Sequence, residues 1–259
     1  MENLSYPVID AHMHPYLADD RDFAFQVPES FEEFFAIQLR AGIWRSCGSF
    51  NIKGAGRNLK KLQMCNRKVL KVYQKFPTLF YPGVNVSPLL PDESCEEIEK
   101  FYQQGFRWIG ELAWYVMGYE KYDLPGMKPI LDLAGALGMT VCLHPSTLED
   151  LHSLLSAFPK TNMVIAHPES AWGIGATYEL AQQHENMFID LSGSGLFRMG
   201  MLRRGVDIMG SERILFGTDY PICNPAMNVA GVLFEKLDDF ERKNILRENF
   251  IRLTGISQC

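Results

Sequence analysis

Pro7-Val8-Ile9-Asp10-Ala11-His12-Met13-His14-Pro15 is a short apolar run that closes on two histidines, one residue apart, and stops at a proline. Its first part, Pro7 to His12, reads as a β-strand. Residues i and i+2 of a strand point to one side, so His12 and His14 share a face. Nothing after the run resembles the glycine-rich turn with which a dinucleotide-binding sheet cradles a pyrophosphate. Seven more runs of the same kind occur along the chain: Ile43 to Ser49, Leu79 to Val86, Phe106 to Leu112, Met139 to His144, Asn162 to His167, Met187 to Leu191 and Arg213 to Asp219. Stretches such as Met163-Val164-Ile165-Ala166 and Ile214-Leu215-Phe216 are continuously apolar, the pattern of parallel strands covered on both faces by helices.

Amphipathic segments alternate with these runs. Ser30-Phe31-Glu32-Glu33 has the spacing of a capping box. Helices are expected over Asn58 to Phe76, Glu93 to Gln104 before Gly105, Pro129 to Leu137 before Gly138, Leu148 to Phe158, Thr177 to Glu185, Met199 to Met209, Pro225 to Leu237, and about Asp239 to Leu253 before Gly255. Eight strand–helix units in 259 residues, with no linker, repeat or composition break, predict a single α/β domain over residues 1–259, a (β/α)8 TIM barrel. A doubly wound open sheet is the alternative.

Composition narrows the function. Lys plus Arg is 25 and Asp plus Glu is 31, a net charge of −6 that gives no footprint for duplex nucleic acid. No apolar run approaches the roughly 18 residues of a membrane span. The first residues lack the pattern of a secretion signal, and the six cysteines are scattered without a C-x-x-C pair. A cytoplasmic protein with reduced thiols, acting on a small molecule, is expected.

In a barrel, the C-terminal strand ends meet on one face, where this fold places its active sites. His12, His14, Glu111, His144, His167 and Asp219 all fall there. Four imidazoles and two carboxylates suit a divalent transition metal, with zinc first and manganese or iron as alternatives, one or two ions in number. Three histidines precede prolines (His14-Pro15, His144-Pro145, His167-Pro168), and Asp219-Tyr220-Pro221 is close to that arrangement. A residue before proline is pushed out of the α region, so each histidine should keep an extended backbone. Asp10 reads as a buried support for His12, Cys142 as a small core residue, and His152 and His184 as structural. Trp114 and Tyr115, with Tyr119 and Tyr122, either wall a substrate pocket or pack a long loop. Arg198 is a candidate for binding a substrate carboxylate, and the long loop Pro15 to Pro28 for a lid.

Taken in order, Ile9-Asp10-Ala11-His12-Met13-His14, Gly110-Glu111-Leu112, Leu143-His144-Pro145, Ile165-Ala166-His167-Pro168 and Phe216-Gly217-Thr218-Asp219-Tyr220-Pro221 resemble the amidohydrolase superfamily, above all its amidohydrolase-related branch of metal-dependent TIM-barrel enzymes. Ile245 to Leu253 is similar to that branch's last helix. The resemblance implies a first-strand metal pair at His12 and His14, a fifth-strand ligand at His144, and at His167 a histidine that binds metal or polarises substrate. It implies that Asp219 binds metal and shuttles a proton. Glu111 stands where many binuclear members carry a carboxylated lysine, which leaves the metal count open. A homodimer is a family-level expectation.

The implied activity is hydrolysis by a metal-activated water of an amide, lactone or ester-like bond, with Asp219 and His167 as the catalytic groups. The alternative is a zinc-dependent decarboxylase of an aromatic or unsaturated acid, which needs one metal and an anion-binding group beside it. A non-catalytic binding barrel is the third reading.

Overall fold

The computed structural model describes residues 4–167, 174–193 and 198–256. Among the described residues there are eight strands: β1 (Val8–Met13), β2 (Ile43–Gly48), β3 (Phe80–Pro82), β4 (Trp108–Leu112), β5 (Thr140–Leu143), β6 (Met163–Ile165), β7 (Met187–Asp190) and β8 (Ile214–Leu215). All pair in parallel, in sequence order, as two ladders, β1-β2-β3 and β4 to β8.

Backbone hydrogen bonds join the two ladders at both seams. Between β3 and β4, the Val84 N–H donates to the Trp108 carbonyl at 3.0 Å and the Gly110 N–H to Val84 at 2.8 Å. Between β8 and β1, the Ala11 N–H donates to Phe216 and the His14 N–H to Tyr220, both at 2.8 Å. The sheet therefore closes into a (β/α)8 barrel, and the open-sheet alternative fails. β1, β4, β5 and β6 are buried along their whole length, as their apolar runs require.

Helices cover the outside: α1 (Phe31–Arg40), α2 (Leu59–Lys75), α3 (Pro91–Gln103), α4 (Trp114–Met117), α5 (Met127–Ala136), α6 (Leu148–Ala157), α7 (Ile174–Gln183), α8 (Met201–Met209), α9 (Pro225–Leu233), α10 (Asp239–Lys243) and α11 (Asn249–Thr254). Asn58 and Thr147 cap α2 and α6 by accepting from the N–H groups of Lys61 and Asp150. Gly105 and Gly138, with φ of 92° and 63°, turn the chain after α3 and α5 in a conformation that β-carbons disfavour.

Four expectations need correction. Ser30 caps α1, but the Glu33 carboxylate accepts from Glu29 rather than from Ser30, so the reciprocal box is not formed. Several strands stop early: β3 ends at Pro82 and β8 at Leu215, and beyond them the chain is held by single backbone hydrogen bonds to its neighbours rather than by a regular ladder. The expected last helix is divided by a π-helical turn over Asn244–Glu248. The Ile245 carbonyl in that turn accepts from the Phe216 N–H at 2.8 Å, tying the helix to the barrel wall. Finally, His167 does not keep strand geometry. It and Asp219 are the two non-glycine residues with positive φ among those described, at 52° and 61°. Pro168 lies outside the described residues.

Candidate metal centre

Asp10, inside β1, is fully buried and fastens the seam from which the site hangs. Its carboxylate accepts from the backbone N–H groups of His12 and Thr218, both at 3.0 Å, and from the Thr218 hydroxyl at 2.5 Å. The two first-strand histidines are then oriented one nitrogen at a time. His12 Nδ1 is 2.8 Å from Asp190 Oδ2. His14 Nδ1 is 2.9 Å from the Ser49 carbonyl. A carboxylate and a carbonyl only accept, so each Nδ1 carries the proton and each Nε2 presents a lone pair.

His167 obeys the same logic. Ser192 donates its one hydroxyl proton to Asp190 Oδ1, so its oxygen accepts from His167 Nδ1–H at 2.9 Å. The lone pair again falls on Nε2. These contacts come from β7 and the residues just past it, and they hold His167 in its left-handed backbone.

Glu111, at the end of β4 and 4% exposed, sits between the rings. Its Oε2 is 3.6 Å from His12 Nε2 and 3.2 Å from His14 Nε2, while Oε1 is 3.3 Å from His167 Nε2 and 2.8 Å from His144 Nδ1. Asp219 Oδ1 is 3.5 Å from His14 Nε2. The six residues singled out in the sequence are thus brought together. Their exposure rises from buried His12 to half-buried His144, so the cluster has a floor and a mouth.

Two observations show that these residues fit a divalent transition metal. His12 Nε2 is a buried polar atom with no hydrogen-bond partner, an arrangement that costs free energy unless something accepts its lone pair. The donor spacing is also that of a coordination shell. Tetrahedral ligands at 2.0–2.1 Å lie about 3.3 Å from one another, close to the separations around Glu111. His12, His14 and Glu111 form one such triad; His12, His167 and Asp219 form another, and Glu111, His144 and His167 a third.

The electrostatics agree. Burial opposes charge on His12, but the Asp190 and Glu111 carboxylates override it and raise its pKa well above the usual value. Burial likewise pushes Glu111 up, yet the His12 charge and the neighbouring His14 and His144 rings hold it well below the carboxylate range. Burial raises Asp219, partly offset by His14, His12 and His167. The cluster is a carboxylate-rich pocket whose balancing positive charge sits on imidazoles, and a divalent cation replaces those protons.

Sequence reasoning missed Asp190, Ser192 and Ser49, which orient the histidines without belonging to a motif. The signal for Asp190 was a carboxylate closing an apolar run, obscured because the expected strand continued to Leu191. It also missed Arg21 in the first loop. The Arg21 guanidinium lies 5.4 Å from the Tyr16 ring centre, and Tyr16 packs against His14 at 5.3 Å. The aromatic group after β4 divides. Trp114 donates its indole N–H to the Pro145 carbonyl at 3.2 Å and lines a cavity of about 620 Å³ beside His167, and Tyr115 packs on the His144 ring at 4.8 Å. Tyr119 and Tyr122 are core. Arg198 is exposed, and no contact among the described residues joins it to the cluster. Exposed His152 and buried His184 bond to each other at 2.9 Å.

A family model described as Amidohydrolase matches residues 9–256. Among solved structures, 2,6-dihydroxybenzoate decarboxylase from Rhizobium superposes with a TM-score of 0.72 at 17% identity, covering 96% of this chain and 98% of that one. For 5-carboxyvanillate decarboxylase from Novosphingobium aromaticivorans, complexed with manganese and 4-hydroxy-3-methoxy-5-nitrobenzoic acid, the TM-score is 0.77 at 15% identity, covering 97% of each chain. A TIM-barrel protein from Bordetella bronchiseptica also gives 0.77, at 17% identity, with 96% and 99% covered. Identities this low speak for the fold alone. No curated protein matches the sequence. Among the described residues, no helix is long and apolar enough to cross a membrane. With its five strand-end motifs gathered at one mouth of a closed barrel and a family model spanning nearly all of it, the chain belongs to the amidohydrolase family.

Proposed function

We propose that the protein is a metal-dependent lyase that removes CO2 from an aromatic or unsaturated carboxylic acid. The observation that carries this reading is the compact donor set together with the Arg21 guanidinium, which lies over the Tyr16 ring that packs on His14. Arg21 has no carboxylate partner among the described residues, and its charge also acts on Tyr115, which packs on His144. A guanidinium at the mouth is what a carboxylate substrate requires. Two of the structural neighbours are decarboxylases of aromatic acids, and one was crystallised with manganese. Zinc or manganese is the proposed ion.

When bound, the ion supplies Lewis-acid polarisation of substrate oxygens. Arg21 draws in and orients the acid, and Trp114 and Tyr115 flank it. Asp219, whose carboxyl is raised by burial, delivers a proton to the carbon that bears the carboxylate. The C–C bond then breaks, its electron pair stays with the ring, and CO2 departs; Asp219 recovers its proton from solvent. His167 holds the charge on a substrate oxygen. The experiment is to load the protein with manganese or zinc, offer a panel of hydroxybenzoates and unsaturated acids, and measure CO2. Release from at least one member supports the reading. Hydrolysis of lactones or amides without CO2 release overturns it.

That outcome defines a second reading, hydrolysis, which one observation favours. The Asp219 carboxylate is close enough to the cluster to take a proton from an attacking water as readily as to give one to carbon.

A further inference from the structure

The cavity beside His167 continues the site away from Arg21. Glu111 marks the axis: its Oε2 faces His12 and His14, while its Oε1 faces His144 and His167. Arg21 stands on the first side, over the Tyr16 ring that packs on His14. The cavity opens on the second side, with His167 in its wall. A substrate whose acid group turns toward Arg21 therefore points its far end at this space. Much of the described wall there is apolar. Leu148, the first residue of α6, is 43% exposed, and half-buried Trp114, Pro145 and Ala176 line the same cavity. One exposed leucine is ordinary, but four apolar groups around one concave space mark a binding surface. The Trp114 indole is fixed by its N–H, which donates to the Pro145 carbonyl, so that part of the wall is formed before any ligand arrives. Charge does not compete with it. The Asp150 carboxylate oxygens and the Ser146 hydroxyl are shielded from solvent and present nothing to an occupant, which leaves Glu120 and Lys121, of opposite sign.

We propose that this cavity is a specificity subsite for a neutral apolar substituent, aryl or branched alkyl, so that the preferred substrate is an acid extended at the end away from its carboxylate. This inference rests on the decarboxylase reading for the acid end of the substrate and on the cavity for the far end. At about 620 Å³, the cavity is within the range of sites that enclose small-molecule ligands. The driving force is removal of apolar surface from water on both sides of the contact. Leu148 and Ala176 touch only the distal substituent, so their effect belongs to substrate selection rather than to the chemical step.

The test uses manganese-loaded protein and two pairs of probes that differ by one phenyl ring: benzoate with biphenyl-4-carboxylate, and benzohydroxamate with 4-phenylbenzohydroxamate. The hydroxamates attach to the ion itself and need no Arg21. Binding is read by calorimetry, independently of turnover. In each pair the parent should bind the longer probe roughly 10- to 100-fold more tightly, the range for burying a phenyl-sized apolar group. Leu148→Asp puts a charge in the wall, and an acidic residue at the first position of α6 suits a helix N-terminus. It should cancel most of the preference and leave benzoate and benzohydroxamate unchanged. Ala176→Phe should do the same by filling the space. Equal binding of the short and long hydroxamates by the folded, loaded parent, or a preference that survives in both variants, overturns the subsite. A hydroxamate preference in a parent that binds neither carboxylate supports the subsite and overturns the acid reading instead. A melting temperature and circular dichroism spectrum matched to the parent show that each variant is folded.

Discussion

His12 divides its work between two ring nitrogens: Nδ1–H points to Asp190 and Nε2 to the cluster. The negative partner fixes the tautomer and makes Nε2 a stronger donor. Asp190→Asn keeps an acceptor oxygen but discards the charge. Metal affinity should fall about 10- to 100-fold, measured by competition with a chelator of known affinity; unchanged affinity would show that Asp190 serves only the fold. Affinity should also depend on pH in a definite direction. Burial lowers the His12 pKa, but Asp190 and Glu111 outweigh it and raise it well above 6.5. A metal must displace that proton, so affinity should climb with pH throughout the range below the raised value and level off only above it. Asp219 makes a different prediction. Asp219→Asn should keep appreciable metal through the histidines and lose turnover by about 10²- to 10⁴-fold, the usual contribution of a proton-transfer group. Near-parental turnover in the metal-loaded variant would assign the proton to another residue, His167 first. The ligand candidates were legible because each ends an apolar run. Asp190 was not, because one strand-end carboxylate looks like another until the closed barrel shows which ring it faces.

At the level of elements, the seam between β1 and β8 is tight enough to constrain side-chain size. A β-carbon on Gly217 would lie 2.9 Å from His12 Cβ and 3.1 Å from Ser192 Cβ. Gly217→Ala therefore pushes on one proposed metal ligand, His12, and on the hydroxyl that orients another, His167. Stability should fall by about 1–3 kcal/mol, the usual cost of overpacking, and metal affinity should fall with it. Denaturant unfolding and chelator competition measure the two, and a loss of neither would mean that the seam is looser than it looks. Helix stops at Gly105 and Gly138 could be read from sequence because their backbone requirement is local. The short strands and the π turn could not. β8 is only Ile214–Leu215, and the chain beyond it is held by Asp10, by Tyr220 pairing with β1 and by Ile245, all distant in sequence. The proline rule failed at His167 for the same reason: contacts from Ser192 and Glu111 outweigh a preference set by the next residue.

Across the whole molecule, closure is what makes six separate residues a site. His12 and Asp219 are remote in the chain, yet the Asp219 N–H donates to the His12 carbonyl at 2.8 Å. An ion held by residues from several strands binds the folded barrel and not the unfolded chain, so it must stabilise the whole. At 100 times its dissociation constant it contributes about 2.7 kcal/mol. For a domain of this size that raises the melting temperature by roughly 5–10 °C. Manganese or zinc should produce this rise in the parent and not in a His12→Ala/His14→Ala double variant. Equal rises in both would place the ion elsewhere. The strand count and the absence of a glycine-rich turn made the barrel readable from sequence. The reaction was not, since acid and water chemistry share one donor set and differ in loop residues such as Arg21. Anomalous diffraction at the manganese or zinc edge, on crystals of the loaded protein, tests the central claim most directly. The account predicts a peak about 2.0–2.3 Å from the Nε2 atoms of His12 and His14, within reach of Glu111 and Asp219. A fully loaded crystal with its peak outside this cluster would contradict it.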